Sequence, residues 1–128
     1  MFGDKLLAGQ YSLLVDDKLR IAIPPDTDRE KNDLIYVLYD EVMEHYTIYS
    51  KPAIENMFKL YELAIVNASN AEELLFRKKE FLKFCKGILR QSSIDKQGRA
   101  VIGKICQPGD MINLIGCGDH FVLERRKK

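Results

Sequence analysis

Two short segments of the chain share a spacing of charged side chains that suits contact with a nucleic acid. In each segment an aspartate is followed four residues later by an arginine, with apolar residues on both sides. In DNA-binding proteins, arginine can hydrogen-bond to guanine through two atoms, glutamine can pair with adenine, and lysine contacts phosphate. The candidate DNA-binding residues are Asp16, Lys18 and Arg20 in the first segment, and Asp95, Lys96, Gln97 and Arg99 in the second.

The same segments have a simpler interpretation as tight turns. Gly98 suits a positive φ, and the Asp95 carboxylate can accept hydrogen bonds from backbone N–H groups inside the turn. Asp16 with Arg20, and Asp95 with Arg99, would then be surface ion pairs worth about 0 to 1 kcal/mol. Either turn taken alone favours this ion-pair interpretation. The recurrence of the aspartate, the arginine and a further cation in both segments favours a binding surface.

The two turns belong to a longer internal repeat. Three blocks of the first half match three blocks of the second half in the same order, and the last match superimposes His45 on His120. Such repetition indicates a duplicated structural unit, here of about 40 residues. A unit of this size seldom buries enough apolar surface to fold alone, so we expect the two units to share one core with pseudo-twofold symmetry. The matching blocks are 15–23 with 94–102, 33–38 with 110–115, and 44–48 with 119–123.

The pattern of apolar residues predicts an α+β fold in which each unit has four short strands. A first helix follows Ser50 as N-cap, with Pro52 in its first turn. A second helix covers residues 70–86, begins with a capping box at residues 69–72 and ends at Gly87. The predicted strands are 11–16, 20–24, 34–39, 45–49, 88–94, 99–103, 111–115 and 120–124. The predicted inward-facing helix residues are Ile54, Met57, Phe58, Tyr61, Ala64 and Ile65, then Leu74, Leu75, Phe81, Leu82 and Cys85.

Length and composition favour one domain that contains both units. The chain has 128 residues, of which 46% are hydrophobic and 30% charged, as in ordinary globular proteins. We therefore expect a single domain over 1–128, with the first unit at 11–50, two linking helices at 51–87 and the second unit at 88–125.

Charge is divided unevenly along the chain. Residues 1–76 contain seven basic and fourteen acidic residues, a net charge of −7, whereas residues 77–128 contain thirteen basic and five acidic residues, a net charge of +8. A basic segment is typical of a polyanion binder, and an acidic one could face away from the polyanion or contact a neighbouring subunit's basic surface. The alternative is that these charges belong to solvated helix faces.

Other features argue against a membrane protein, a metal protein and an enzyme. No apolar run approaches the roughly 18 residues that cross a bilayer, and the first ten residues lack a signal-peptide pattern, so we expect a cytoplasmic location. Cys85, Cys106 and Cys117 form no CxxC motif, which favours free thiols and no metal or other cofactor. His45 and His120 occupy equivalent positions at strand starts, so a shared turn role explains them better than a catalytic pair.

Three segments resemble the MraZ family, the two-repeat members of the SpoVT-AbrB (swapped-hairpin) fold. They are GQYSLLVDDKLRIAIP, SSIDKQGRAVIG and INLIGCGDHFVLER. The resemblance implies two swapped-hairpin β units around one barrel-like core. It also implies a nucleoid-associated bacterial transcriptional regulator that binds direct repeats in double-stranded DNA upstream of the division and cell-wall gene cluster. The DxxxR loops, here 16–20 and 95–99, would make the contacts from a ring-shaped homo-oligomer, with an octamer as the expected size.

The sequence departs from the family pattern at three places. Leu19 stands where the family has glycine, and Gly103 where the second repeat has proline. Leucine at positive φ costs about 1 to 2 kcal/mol, so the first loop is expected to adopt a different turn from the second. The segment FLKFCKGILR also lacks the family's aromatic and arginine pattern, which weakens the transfer of helix packing and subunit contacts.

Two other functions compete with DNA binding. A structural or protein-interaction β module would use the same duplicated strands with its turns as ion pairs only, and an enzyme ranks third because no nucleophile has a neighbouring base in sequence. Cys117, between two glycines, is interpreted as a small residue in a tight turn. The tail at residues 124–128 is expected to fray, with some electrostatic attraction to phosphate.

Overall fold

The computed structural model describes residues 1–125 and has an α+β fold, as predicted. Each predicted strand is present, with its ends within two residues of the expected positions. A short 3-10 helix, Pro25–Thr27, follows the second strand. The strands and helices are β1 Gln10–Leu14, β2 Arg20–Ala22, β3 Leu34–Asp40, β4 His45–Ser50, α1 Lys51–Val66, α2 Ala71–Gly87, β5 Ile88–Ser93, β6 Arg99–Val101, β7 Met111–Gly116 and β8 His120–Arg125.

The strands form a six-stranded antiparallel sheet and a separate two-stranded pair. The sheet has the order β1-β7-β8-β4-β3-β5, and β2 pairs with β6. If each strand of the first half is exchanged with its counterpart in the second half (β1 with β5, and so on to β4 with β8), the result is the same order read from the opposite edge of the sheet. The registers behave in the same way, since Arg20 lies opposite Val101, and Ala22 lies opposite Arg99. The first strand of each half therefore hydrogen-bonds to the other half, β1 to β7 and β5 to β3.

One apolar core joins the sheet to the two-stranded pair. Alternation along each strand sends every second side chain inward, which is why the β-branched residues of both halves meet there. Phe121 lies at its centre, with its ring 6.4 Å from that of Phe2 and 6.1 Å from that of Tyr11. The largest fully buried side chains are Phe2, Val15, Ile21, Ile23, Ile35, Val37, Ile48, Ile94, Ile102, Ile112, Leu114 and Phe121.

Helix α1 begins as the sequence predicts. The Ser50 hydroxyl accepts a hydrogen bond from the Ala53 N–H at 3.2 Å, and Pro52 lies in the first turn. Every residue predicted to face inward on α1 is buried or half-buried, with Ile54 only 2% exposed. Neither helix of the described residues is long and apolar enough to cross a membrane.

Helix α2 corrects two predictions. Its N-cap is Asn70, whose side chain accepts a hydrogen bond from the Glu73 N–H at 2.8 Å, while the Glu73 carboxylate accepts from the Ser69 N–H at 3.1 Å, so the cap is one residue later than expected. Leu75 and Leu82 are 55% and 53% exposed and do not face inward. The physical reason is that α2 packs on α1 through a different side, where aromatic rings meet at 5.0 to 5.8 Å between centroids. These rings are Phe58 and Tyr61 of α1 with Phe81 and Phe84 of α2.

Candidate nucleic-acid interface

The two DxxxR segments form turns with the same hydrogen bonds. In the first turn, the Asp16 carboxylate oxygen Oδ1 accepts from the backbone N–H of Lys18 at 2.9 Å and of Arg20 at 2.8 Å. In the second, Asp95 Oδ1 accepts from the N–H of Gln97 at 2.9 Å and of Arg99 at 3.0 Å. Each aspartate thus organises its turn from within.

The first turn has this geometry although it contains no glycine, which corrects the expectation of a different turn. Leu19 has a φ of 60°, close to the 80° of its counterpart Gly98. The N–H of each residue donates to the carbonyl of its turn's aspartate, at 3.1 Å for Leu19 and 2.9 Å for Gly98. Leu19 also packs its side chain against the core. Packing and hydrogen bonds therefore offset the cost of leucine at positive φ, about 1 to 2 kcal/mol.

The fold places the two turns side by side. They flank the β2–β6 pair, and each turn also accepts a hydrogen bond from the strand of the other unit. The Ile23 N–H donates to the Gly98 carbonyl at 2.8 Å, and the Ile102 N–H donates to the Leu19 carbonyl at 2.9 Å. The two turns are therefore in direct contact.

Three ion pairs link the arginines and aspartates of the turns, and two of them run from one turn to the other. Arg20 Nε lies 2.8 Å from Asp16 Oδ2, and Arg20 Nη1 lies 3.2 Å from Asp95 Oδ2 in the other turn. Arg99 Nη1 lies 3.5 Å from Asp16 Oδ2. The arginines and aspartates therefore form a continuous chain in the order Asp95, Arg20, Asp16, Arg99.

Both aspartates have a lowered pKa. For Asp16, burial would raise the pKa, but hydrogen bonds from Arg20 and from the Lys18 N–H outweigh it. For Asp95, the main cause is the hydrogen bond from the Arg99 N–H, which outweighs burial and is helped by that from the Gln97 N–H and by the charges of Arg20 and Arg99. A lowered pKa means that the charged carboxylate stabilises the turn above its ordinary pKa, and that this contribution is lost as the pH falls through the lowered value.

The predicted binding residues differ in how freely they can meet a ligand. Lys18, Lys96 and Gln97 are exposed. The Arg99 side chain is 45% exposed, whereas that of Arg20 is 23% exposed and contacts both aspartates. The Arg20 guanidinium lies between the two carboxylates, so it is less free than Arg99 to meet a ligand.

Arg29 is a cation of the site that the sequence reasoning missed. Its guanidinium covers Gly98, and its Nε donates to the Ile23 carbonyl. A Cβ atom at residue 98 would clash with this guanidinium. Arg29 lies outside the repeated blocks and follows the loop after β2, so no spacing in the sequence points to it.

The histidines do not form a pair. Each is the first residue of a strand, β4 or β8, as the repeat predicts. The antiparallel register places His120 opposite Tyr49 rather than near His45, and its ring stacks on Tyr49 with centroids 4.9 Å apart. His120 Nδ1 also lies 2.6 Å from Asp119 Oδ1. Within residues 1–125, no cluster of His, Cys, Asp and Glu could hold a metal ion, and the three cysteines are free.

A cleft of about 530 Å³ lies away from the turns, between the β3–β4 hairpin and α2, and includes Tyr39, Tyr46, Lys83 and Lys86. An adjoining cavity includes Tyr49, whose pKa is raised to about 12, mainly by burial. This phenol is therefore protonated at neutral pH and is a poor base.

The C-terminal tail can be described only in part. Arg125 Nη2 lies 3.5 Å from Asp110 Oδ2. The prediction of a frayed tail is wrong for Glu124 and Arg125, which lie in β8 and pair with Asn113 and Ile112 of β7, and the rest of it falls on residues 126–128, which lie outside the described residues.

No protein-family model matches the chain, and no curated protein matches it in sequence. The MraZ resemblance therefore stays a prediction from the quoted segments.

The contact between Arg29 and Gly98 gives a prediction about stability. Gly98→Ala adds positive-φ strain of about 1 to 2 kcal/mol, and it displaces Arg29 with loss of its hydrogen bond, about 1 kcal/mol more. Gly109→Ala is the matched control, because Gly109 has a φ of 85° and no atom within 4 Å of an added Cβ. Denaturant unfolding should give Gly98→Ala a lower free energy of unfolding than Gly109→Ala. In a protein that already carries Arg29→Ala, the two substitutions should lower the free energy of unfolding equally. A difference that persists there would contradict this role of Arg29.

Proposed function

We propose that the protein is a sequence-specific DNA-binding transcriptional regulator of the MraZ type. The observation that carries the proposal is the pair of identically hydrogen-bonded DxxxR turns, joined by ion pairs and flanked by exposed Lys18, Lys96, Gln97 and Arg99. Its target would be direct repeats in double-stranded DNA upstream of the division and cell-wall genes.

The strand pairing supports the finer fold proposal. In a swapped-hairpin arrangement each unit lends a strand to the other, and here β1 pairs with β7, and β5 with β3. The reversal of sheet order on exchanging the two halves is what pseudo-twofold symmetry requires. We therefore propose the two-repeat SpoVT-AbrB arrangement, with 11–50 and 88–125 as the repeats and α1 and α2 as the insertion between them.

The chemistry of the turns matches a duplex. Because the carboxylates hold the turn backbones, the exposed side chains start from fixed positions and lose less freedom on binding. Arg99 would contact guanine O6 and N7, Gln97 an adenine edge, and the two lysines the phosphates. The aspartates would not contact DNA, since their oxygens already accept hydrogen bonds within the protein.

A second function, protein interaction without DNA, is favoured by one observation. Large apolar side chains are exposed on both helices, and such surfaces often mark contacts with other proteins. They are Leu60, Leu63 and Val66 of α1, and Leu75, Phe76 and Leu82 of α2. This surface is compatible with a DNA-binding homo-oligomer, so it does not by itself separate the two functions.

The first prediction concerns base contact. Arg99→Ala should weaken binding to DNA from upstream of the protein's own gene by about 1 to 3 kcal/mol, the worth of a bidentate base contact, with much less effect on unrelated DNA. Arg99→Lys is the matched control because it keeps the charge but loses the two-point contact. Fluorescence anisotropy at fixed salt measures both. If the folded Arg99→Ala protein bound the upstream DNA as tightly as the parent protein, base contact by Arg99 would be contradicted.

The second prediction concerns phosphate contact. Affinity should fall steeply with salt, with a slope of about 0.9 per phosphate neutralised. Replacing Lys18 and Lys96 together by alanine should flatten a plot of log affinity against log salt. Replacing Lys59 and Lys79, exposed on the helices, removes the same charge and should leave the slope unchanged. A flat plot for the parent protein would favour the interaction-module function.

The third prediction concerns assembly. We expect a homo-oligomer larger than a dimer, and a ring of eight subunits in line with the resemblance, because direct repeats need several copies of the same turns at regular spacing. The acidic first part of one subunit could contact the basic second part of its neighbour. Light scattering or sedimentation at micromolar concentration and moderate salt measures the size. A monomer would leave multivalent binding of direct repeats without a mechanism.

A further inference from the structure

We infer that the two turns have different roles: Arg20 of the first turn is a positioning residue that holds the second turn and its Arg99 in place, and the second turn makes the base contacts. The base-contact half of this inference rests on the proposed function. The positioning half does not, because it concerns the free protein.

The positions of the two guanidinium groups carry the inference. Arg20 contacts carboxylates from both halves of the chain, at 2.8 Å to Asp16 and 3.2 Å to Asp95. Arg99 has one longer contact, 3.5 Å to Asp16, and its side chain is about twice as exposed, 45% against 23%. A bidentate base contact by Arg20 would require its partly buried ion pairs to break, whereas Arg99 can turn to a base at little cost.

The charges of the turns point the same way. Residues 16–20 contain two acidic and two basic side chains and have no net charge, whereas residues 95–99 contain one acidic and two basic and have a net charge of +1. Arg29 adds a further positive charge beside Gly98. A polyanion is therefore attracted more strongly to the second turn.

Arg20 also controls Arg99 through a shared partner. Asp16 Oδ2 faces both arginines, and Arg20 is the closer of the two. Without Arg20, the Asp16 carboxylate would lose its main counter-charge and would draw Arg99 toward itself. Loss of Arg20 should therefore weaken base contact by Arg99, although Arg20 itself touches no base.

A test on the free protein uses amide hydrogen exchange. Arg20→Ala should speed exchange of the Gln97 and Arg99 N–H groups, both of which donate hydrogen bonds to Asp95 Oδ1. These groups lie more than 70 residues from Arg20 in the sequence. Arg99→Ala should leave the Lys18 N–H of the first turn nearly as protected as in the parent. If Arg20→Ala does not fold, Arg20→Lys, whose ammonium keeps the charge but lacks the planar fork of the guanidinium, should speed the same exchange less strongly. Unchanged exchange at Gln97 and Arg99 in the folded variant overturns the positioning role.

A test with DNA uses rescue by removal of the Asp16 charge. Arg20→Ala should lower affinity for the upstream DNA about tenfold, within the range of one lost base contact. Adding Asp16→Asn to Arg20→Ala removes the carboxylate charge but keeps Oδ1 as an acceptor, and it should recover most of the lost affinity. This gain should exceed any change in affinity that Asp16→Asn causes in the parent protein. The same addition should not rescue Arg99→Ala. Rescue of both variants alike, or of neither, overturns the division of roles.

The two tests distinguish failure of DNA binding from failure of the positioning role of Arg20. A parent protein that binds neither the upstream DNA nor unrelated DNA contradicts the proposed function and, with it, base contact by the second turn. The exchange experiment still decides whether Arg20 positions that turn. DNA binding with parental exchange in Arg20→Ala overturns only the positioning role.

Discussion

Hydrogen bonding between the two halves of the chain is the interaction on which the rest of the structure depends. β1 pairs with β7, β5 pairs with β3, and β4 pairs with β8, so every one of these ladders joins one half of the chain to the other. Unpaired backbone groups are costly once buried, so neither half could keep its core closed without the other. The β2–β6 pair belongs to the same exchange, and it brings the Asp16 and Asp95 turns into contact. The candidate site therefore exists only where both halves have folded together.

Acidic residues inside a surface proposed to bind a polyanion need a physical reason. Each aspartate accepts two backbone hydrogen bonds in its own turn and faces at least one arginine, so its charge is largely compensated within the protein. The lowered pKa values of Asp16 and Asp95 express the same balance, because the surroundings stabilise the charged form. What remains for a ligand is a net charge of +1 over the two turns, with Lys18, Lys96 and Arg99 exposed and Asp17 opposing them.

The parts of this structure that could be predicted from sequence are those set by local pattern. Alternating apolar residues located the strands, Ser50 located the start of α1, and the repeated aspartate located both turns, because each depends on neighbours within a few residues. The conformation of Leu19 could not be predicted, because its positive φ is stabilised by packing and by a hydrogen bond from the other half. The role of Arg29 could not be predicted either, because Arg29 contacts Gly98 only in the folded chain. The exposure of Leu75 and Leu82 depends on which side of α2 packs against α1.

The two halves of the chain differ in their surroundings, because helices follow the first half only among the described residues. The helices connect β4 to β5 and contact the sheet at β3, β4 and β5, whereas no described element follows β8 in the second half. Side chains have diverged on the shared backbone as well. The first turn has Leu19 packed on the core and Arg20 held between two carboxylates, and both features favour rigidity over contact with a ligand. The second turn has Gly98 beneath Arg29 and a more exposed Arg99, so the same backbone there supports a surface with spare positive charge. A duplicated turn needs only one copy to keep the contacting role once the other copy fixes its position, and the ion pairs from Arg20 to Asp95 and from Asp16 to Arg99 provide that connection.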